Sequence, residues 1–282
     1  WPRPRVPAHP AHQHPAHQHP AHRMERIMIT VNNSTDLTGQ VALVTGATSG
    51  LGWRFAQVLA ASGASVVATG RRQERLDELV AAIVADGGQA VGVPIDMTDA
   101  DSIVAAVDQA EAAFGAVTIL VNNAGIPDAQ RAHKMSLELI DKVIDTNLRG
   151  PYILSCEVGK RLITAKLPGR MVNVSSIAAT NYGGEGAALY SITKAAIARM
   201  SEALGVEWAR FGINVNAIAP GAFESEMMDG MLERMGDISG HFPRKRIGRP
   251  DQLDSTLLFL CSPASDAVTG TIIKVDDGQS SR

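Results

Sequence analysis

From residue 40 onward the chain alternates between two hydrophobic patterns. Short β-branched or apolar runs, almost free of charge, occur at 41–45 (VALVT), 65–69 (SVVAT), 90–95 (AVGVPI), 118–122 (TILVN), 171–175 (MVNVS), 213–218 (INVNAI) and 271–275 (TIIKV), and they read as strands. Between them lie stretches of helical period, among them 72–86, 99–114 and 190–210. In the last, Ala195, Ala196, Met200, Ala203 and Leu204 recur at helical spacing. Apolar strands between amphipathic helices imply a sheet covered on both faces. The alternation is that of βαβ units, and right-handed crossovers join such units into a doubly wound parallel sheet with its ligand at the strands' carboxyl ends. A single α/β domain with a seven-stranded parallel sheet is therefore expected.

The first 23 residues break the pattern. His9, His12, His14, His17, His19 and His22 recur between prolines, nothing there suits a core, and the chain starts at Trp1. Residues 1–37 are expected to be a disordered or non-native extension and leader, with the natural start at Met24 or Met28 and the folded domain at 38–282. A His-rich tract can bind metal, but the leader reads as an extension, and His133 and His241 lack ligand-like spacing. No metal is expected.

Composition narrows the function. With 45% hydrophobic and 20% charged residues, the chain can bury a substantial core. The net charge of −3 includes Arg3, Arg5 and Arg23 of the acid-free leader, so the remainder stands at −6 and nucleic acid is not an expected partner. Cys156 and Cys261 sit in separate helical stretches without CxxC spacing, which suggests neither disulfide framework nor zinc site, and a reducing cytoplasmic location fits them. No apolar run approaches a membrane span, and no signal-peptide centre is seen.

Chemistry gathers at the ends of the strands. Directly after the first comes Thr45-Gly46-Ala47-Thr48-Ser49-Gly50-Leu51-Gly52, opening into a helix. Glycines there permit a tight turn and close approach to a pyrophosphate, whose charge meets the helix N-terminus. Asn122-Asn123-Ala124-Gly125 follows the fourth strand, Asn147 lies in DTNLRG, Ser175 and Ser176 end the fifth strand, Tyr190 and Lys194 form YSITK, and Pro220-Gly221 follows the sixth. A tyrosine near neutral pH is a poor proton donor unless its pKa of about 10 is lowered. Lys194, one helical turn on, can do so electrostatically.

These six motifs, in order, resemble the short-chain dehydrogenases/reductases over essentially all of residues 38–279, most closely the 3-oxoacyl-acyl-carrier-protein reductases and related sugar, polyol and steroid dehydrogenases. The resemblance implies a Rossmann-type catalytic domain with a short substrate lid. It implies an oxidoreductase that interconverts a carbonyl and a secondary alcohol by hydride transfer from a nicotinamide cofactor. Tyr190 would be the general acid/base, Lys194 would also bind the nicotinamide ribose, Ser176 would polarise the substrate carbonyl, and Asn147 would hold a helix bend and an ordered water. Ser176 is preferred to Ser175 as the second serine of the strand end, though the loop to Tyr190 is one residue longer than in close relatives. Cofactor contacts are expected from Gly46, Thr48, Ser49, Gly50, Leu51, Gly52, Asn123, Ala124, Gly125, Pro220, Gly221, Phe223 and Ser225, with Asp96 and Met97 beside the adenine.

The second strand ends in Thr69-Gly70-Arg71-Arg72. An acid in place of Gly70 would favour NAD(H); Arg71 and Arg72 favour NADP(H), unless they merely begin a solvated helix, so NAD(H) remains the alternative. Met227, Met228, Met231 and Met235 in the lid suit a hydrophobic substrate or simply pack a lid helix. Tyr182 is either a substrate contact or loop packing. Lys160, Arg161, Lys166 and Arg170 form either a carrier-protein docking patch or a solvated face. The resemblance implies a homotetramer, a dimer of dimers built through helices at 136–166 and 190–210. A non-catalytic dinucleotide sensor is disfavoured because Asn147, Ser176, Tyr190 and Lys194 are all present. Asp277 stands where many relatives have glycine.

Overall fold

The computed structural model describes residues 31–280 apart from Glu185. The histidine-rich tract, Met24 and Met28 lie outside the described residues. Seven strands, β1 (Val41–Thr45), β2 (Ser65–Gly70), β3 (Gln89–Pro94), β4 (Ile119–Asn122), β5 (Gly169–Val174), β6 (Ile213–Pro220) and β7 (Ile272–Val275), form one sheet in the order β3-β2-β1-β4-β5-β6-β7. Every pairing is parallel. The order reverses between β1 and β4, which opens a crevice at their carboxyl ends.

Eight helices of the described residues cover the sheet: α1 (Gly50–Ala61), α2 (Gln73–Ala85), α3 (Ala100–Phe114), α4 (Leu137–Ile144), α5 (Gly150–Ala165), α6 (Ala188–Trp208), α7 (Glu226–Met235) and α8 (Asp254–Cys261). Alternate side chains of a strand point to opposite faces, and β1 divides accordingly. Ala42 and Val44 join Phe55, Leu59, Leu76, Leu79 and Leu257 under α1, α2 and α8. Val41 and Leu43 join Ile103, Val107, Leu154, Ile197 and Leu204 under α3, α5 and α6.

Three departures from the sequence reading have physical causes. Leu37, assigned to the leader, is fully buried and its N–H donates to Ser62 O at 2.7 Å, so the domain begins before residue 38. The stretch 136–166 is not one regular helix: five residues, Asp145–Arg149, form a π-helical turn between α4 and α5. There the Asn147 side chain accepts from Ile126 N at 2.8 Å and donates to Ile126 O at 2.9 Å. Helix α6 begins at Ala188, earlier than expected, because Asp128 supplies the acceptor at its first turn: its Oδ2 accepts from Leu189 N at 2.9 Å and Tyr190 N at 3.2 Å.

A buried polar chain fixes the elements beneath the crevice. Asn122 Nδ2 donates to Ser155 Oγ (2.9 Å) and Asn173 Oδ1 (2.8 Å), and Asn173 Nδ2 to Ser201 Oγ (2.9 Å). It ties β4 and β5 to α5 and α6, where a purely apolar contact would leave their relative placement less defined.

Candidate active site

The glycine-rich turn needs its glycines at identifiable places. Gly46 (φ +66°) and Gly50 (φ +52°) occupy the left-handed region. A Cβ on Gly52 would lie 2.3 Å from Gly46 O, and one on Gly46 would lie 2.9 Å from Ala124 Cα. The turn is thus pressed against the segment after β4. Thr45 Oγ1 accepts from the N–H groups of Asn123 and Ala124, both at 3.0 Å, while Asn123 Nδ2 donates to Thr45 O at 2.9 Å and to Gly46 O at 3.3 Å. Asn123 is expected from sequence as a cofactor contact; its side chain here braces the turn. Ser49 stands in front of α1 in extended backbone without capping the helix, and no acid lies in the first turn. A cradle that added Cβ atoms would fill, opening on uncapped helix N–H groups, fits a dinucleotide pyrophosphate.

The adenosine end is built around β2. A Cβ on Gly70 would lie 2.6 Å from Thr48 Cγ2, so Gly70 is required by packing. Arg72 donates through Nε and Nη2 to Thr48 Oγ1 (3.2 and 3.0 Å) and pairs with Glu226 at 3.0 Å. Arg71 is exposed. Asp96 Oδ1 accepts from the N–H and hydroxyl of Thr98, at 2.9 and 2.8 Å. These bonds hold its carboxyl below the ordinary value, with smaller contributions from the charges of Arg71 and Lys142. Met97 is buried, and its carbonyl approaches Gly150 so closely that a Cβ there would lie 2.2 Å away.

Three segments bring Asn147, Ser176, Tyr190 and Lys194 together, the last two sharing α6. Asn147 Nδ2 reaches Thr193 Oγ1 at 3.3 Å. A Cβ on Gly125 would lie 3.3 Å from Lys194 Nζ and 3.5 Å from Asn147 Oδ1, so this glycine admits both. Ser175 Oγ donates to Lys194 O at 2.8 Å, which uses its hydroxyl structurally. Ser176 Oγ accepts from Ala178 N at 3.1 Å and lies close enough to the Tyr190 phenol to influence its acidity. Lys194 is buried, donates to Val174 O at 2.8 Å, and holds its Nζ 5.6 Å from the Tyr190 ring centroid.

Burial pushes the Tyr190 phenol above its ordinary value; Ser176 pulls it down and the Asp128 charge pushes it up. The Lys194 ammonium is directed to a backbone carbonyl, and burial is the largest influence on the phenol. Desolvation pushes the Lys194 ammonium itself down to about 8.

The lid leaves β6 at Pro220 and returns at Gly248. Its base is closed by Gly248 N donating to Ala222 O and Glu224 N to Gly248 O, both at 2.9 Å, and by Ala222 N donating to Gln279 Oε1 at 2.7 Å. Gly221 has no room for a side chain, since a Cβ would meet Gln279 Oε1 at 2.5 Å. The Phe223 ring is buried against Gly248, which leaves only its main chain for the expected cofactor contact. Ser225 caps α7 through Met228 N at 3.2 Å and lies against Gly50. No residue of α7 is buried, so its methionines are not committed to the core. Asp277 (φ +50°) pairs with Arg246 at 2.7 Å and Arg244 at 3.6 Å, which fastens the lid's return to the C-terminal tail.

Sequence reading missed Asp128, Arg75 and Glu226. Arg75 reaches Thr48 O at 3.4 Å and stacks 4.8 Å from the Trp53 ring. The i,i+3 spacing of Arg72 and Arg75 could have flagged the latter; Asp128 and Glu226 act across the fold and leave no local signal. Among the described residues, no cluster of His, Cys, Asp or Glu could hold a metal, and no helix is long and apolar enough to cross a membrane.

A family model described as enoyl-(acyl carrier protein) reductase matches residues 46–280. The 3-oxoacyl-[acyl-carrier-protein] reductase of Synechocystis sp. is 36% identical over 246 residues, covering 86% of this chain and 98% of the relative. The 2-dehydro-3-deoxy-D-gluconate 5-dehydrogenase of Formosa agariphila is 34% identical over 252 residues, covering 86% and 93%. Among solved structures, a variant of actinorhodin polyketide ketoreductase with NADPH superposes with a TM-score of 0.82 at 32% identity, covering 86% of this chain and 98% of that one.

Proposed function

We propose, for a chain that belongs to the short-chain dehydrogenase/reductase family, an NADP(H)-dependent carbonyl reductase that also runs as a secondary-alcohol dehydrogenase. The observation that carries this reading is the convergence on one site of Asn147, Ser176 and Tyr190 with the buried Lys194, whose Nζ lies 5.6 Å from the Tyr190 ring centroid. A bound reduced nicotinamide supplies the hydride. Ser176 Oγ hydrogen-bonds the substrate carbonyl oxygen, and the Tyr190 phenol gives that oxygen its proton. In the reverse direction the tyrosinate takes the alcohol's proton. A phenol held above its ordinary value is fully protonated at neutral pH, which suits reduction there and oxidation in alkali. Lys194, held by Val174 O, keeps a positive charge at the floor of the site, and Asn147, in the π-helical turn between α4 and α5, fixes α6 through Thr193.

Gly46, Gly50, Leu51, Gly52 and Ser49 would hold the pyrophosphate, Thr48, Arg71 and Arg72 the adenosine phosphate, Asp96 and Met97 the adenine, and Pro220, Gly221, Phe223 and Ser225 the nicotinamide end. Support for NADP(H) is the absence of room for an acid at Gly70 and the arginines after it. The NADPH of the actinorhodin ketoreductase structure agrees with this choice.

For the substrate, the uncommitted methionines of α7 support an apolar or mixed-polarity carbonyl compound. The basic carrier-protein patch is not supported: Arg161 is paired with Asp108, Glu111 and Glu157, and Arg170 is buried against Asp266. A small-molecule ketone, including a keto sugar acid of the kind named for the Formosa relative, is therefore preferred to a carrier-bound thioester docked there. A homotetramer is part of this reading, supported by the exposed Tyr152, Ile192 and Val206 on α5 and α6 and Phe259 on α8. So is a cytoplasmic location, supported by the free Cys156 and Cys261. The test is a screen of ketones, keto acids and secondary alcohols with NADPH, NADH and their oxidised forms, in which NADPH-linked reduction is the expected outcome.

A further inference from the structure

We propose that Glu226, the first residue of α7, sets the strength of cofactor discrimination by competing with the NADP(H) 2′-phosphate for Arg72. This rests on the reading of Arg71 and Arg72 as the phosphate-binding pair. The end of β2, where an acid would disfavour a phosphate, has no space for one at Gly70. The acid near this end of the site comes instead from the lid, 154 residues along the chain from Arg72. Glu226 Oε1 accepts from Arg72 Nη1 at 3.0 Å and Oε2 from Nη2 at 3.1 Å, a two-pronged pairing. The arginine pairing is the largest cause that holds its carboxyl below the ordinary carboxylate value, with a smaller contribution from Ser49 at the head of α1.

All three guanidinium nitrogens of Arg72 are engaged in this arrangement. Nε and Nη2 are used by Thr48, and Nη1 and Nη2 by Glu226, so the face a phosphate would take is the face the carboxylate holds. Arg71 hydrogen-bonds none of the described side chains and faces the charge of Asp96. A phosphate bound through Arg71 must then separate Arg72 from Glu226, or remain beside a carboxylate of its own sign. An unphosphorylated adenosine leaves the pair intact and α7 fastened to the end of β2. Glu226 therefore tempers the selectivity that the arginines create, and it couples the lid to the identity of the cofactor.

The size follows from exposure. Side-chain exposure of 46% for Arg72 and 58% for Glu226 places the pair among solvent-screened ion pairs, for which the expected change in affinity is about two- to fivefold. Calorimetric dissociation constants of adenosine 2′,5′-bisphosphate and of 5′-AMP decide the matter, measured on the wild-type chain, Glu226→Gln, Arg72→Ala, the double variant and Arg71→Ala. Glu226→Gln should tighten the bisphosphate about two- to fivefold in dilute buffer and leave 5′-AMP unchanged. The gain should vanish in the Arg72→Ala background and shrink in salt of about 1 M. Bisphosphate binding that is unchanged or weaker in Glu226→Gln, while Arg71→Ala and Arg72→Ala each weaken it, overturns the proposal and leaves the phosphate site standing. Bisphosphate binding that neither arginine affects removes the phosphate site and the proposal together.

Discussion

Asp128 Oδ2 accepts the backbone N–H of Tyr190 at 3.2 Å, from a carboxylate only 3% exposed. The same group also accepts from Leu189 N and Ala129 N, both at 2.9 Å. A single side chain thus starts the helix that carries Tyr190 and places a negative charge near its phenol. Burial by the surrounding wall and two groups set that phenol's acidity: Ser176 from the end of β5 and Asp128 from the loop after β4. Asp128→Asn keeps an acceptor and removes the charge, so the alkaline limb of alcohol oxidation should move to lower pH. Asp128→Ala leaves buried N–H groups without an acceptor and should cost about 1–3 kcal/mol in a denaturant titration. An unmoved limb in the Asn variant would assign Asp128 to helix capping alone.

Lys194 makes stability depend on pH in a definite direction. Its ammonium titrates near 8 in the folded chain against 10.5 ordinarily. Below pH 8 both states carry the charge and the folded state bears the whole desolvation cost. As pH rises from 8 to 10.5 the folded state sheds a proton that the unfolded state keeps, so stability gains. Relative to Lys194→Met, the wild-type unfolding free energy should rise by roughly 3 kcal/mol across that window. Parallel pH profiles for the two proteins would show that the lysine is solvated.

Gly52→Ala places a methyl 2.3 Å from Gly46 O and 2.4 Å from Asn123 Nδ2. The backbone of the turn must move, at about 1–3 kcal/mol, and dinucleotide affinity should fall with it. Gly87→Ala is a control for backbone strain alone, since φ is +85° there and nothing lies within 4 Å; it should leave cofactor binding intact. Equal effects on binding would detach the glycine-rich turn from the cofactor.

The sequence shows the seven strands, their order of chemistry and the Gly46–Gly52 turn because each depends on neighbours within a few residues. The alternation of Val41, Ala42, Leu43 and Val44 is enough to assign two buried faces. What escaped was set by distant partners. Asp128 meets Tyr190 across 62 residues, and Glu226 meets Arg72 across 154. Leu37 looked like leader because its burial depends on the turn at Ser62. One helical turn of spacing places Lys194 near Tyr190, but the direction of its Nζ is set by Val174 O on β5 and leaves no local signal.

Cofactor selectivity should track Arg71. Arg71→Ala removes a charge-assisted contact and should weaken NADPH about ten- to a hundredfold while leaving NADH nearly unchanged. This variant is a cleaner test than an acid at position 70, which would displace Thr48 as well. Steady-state constants with both cofactors check it, and a wild-type enzyme that prefers NADH would reverse the assignment.

The central claim is that the Tyr190 phenol moves the proton, and Tyr190→Phe tests it most directly because it deletes one oxygen and keeps the ring. Turnover of an NADPH-reducible ketone should fall at least about a hundredfold, the low end for loss of a general acid, with NADPH affinity retained by fluorescence titration. Turnover equal to that of the wild-type enzyme would contradict the account.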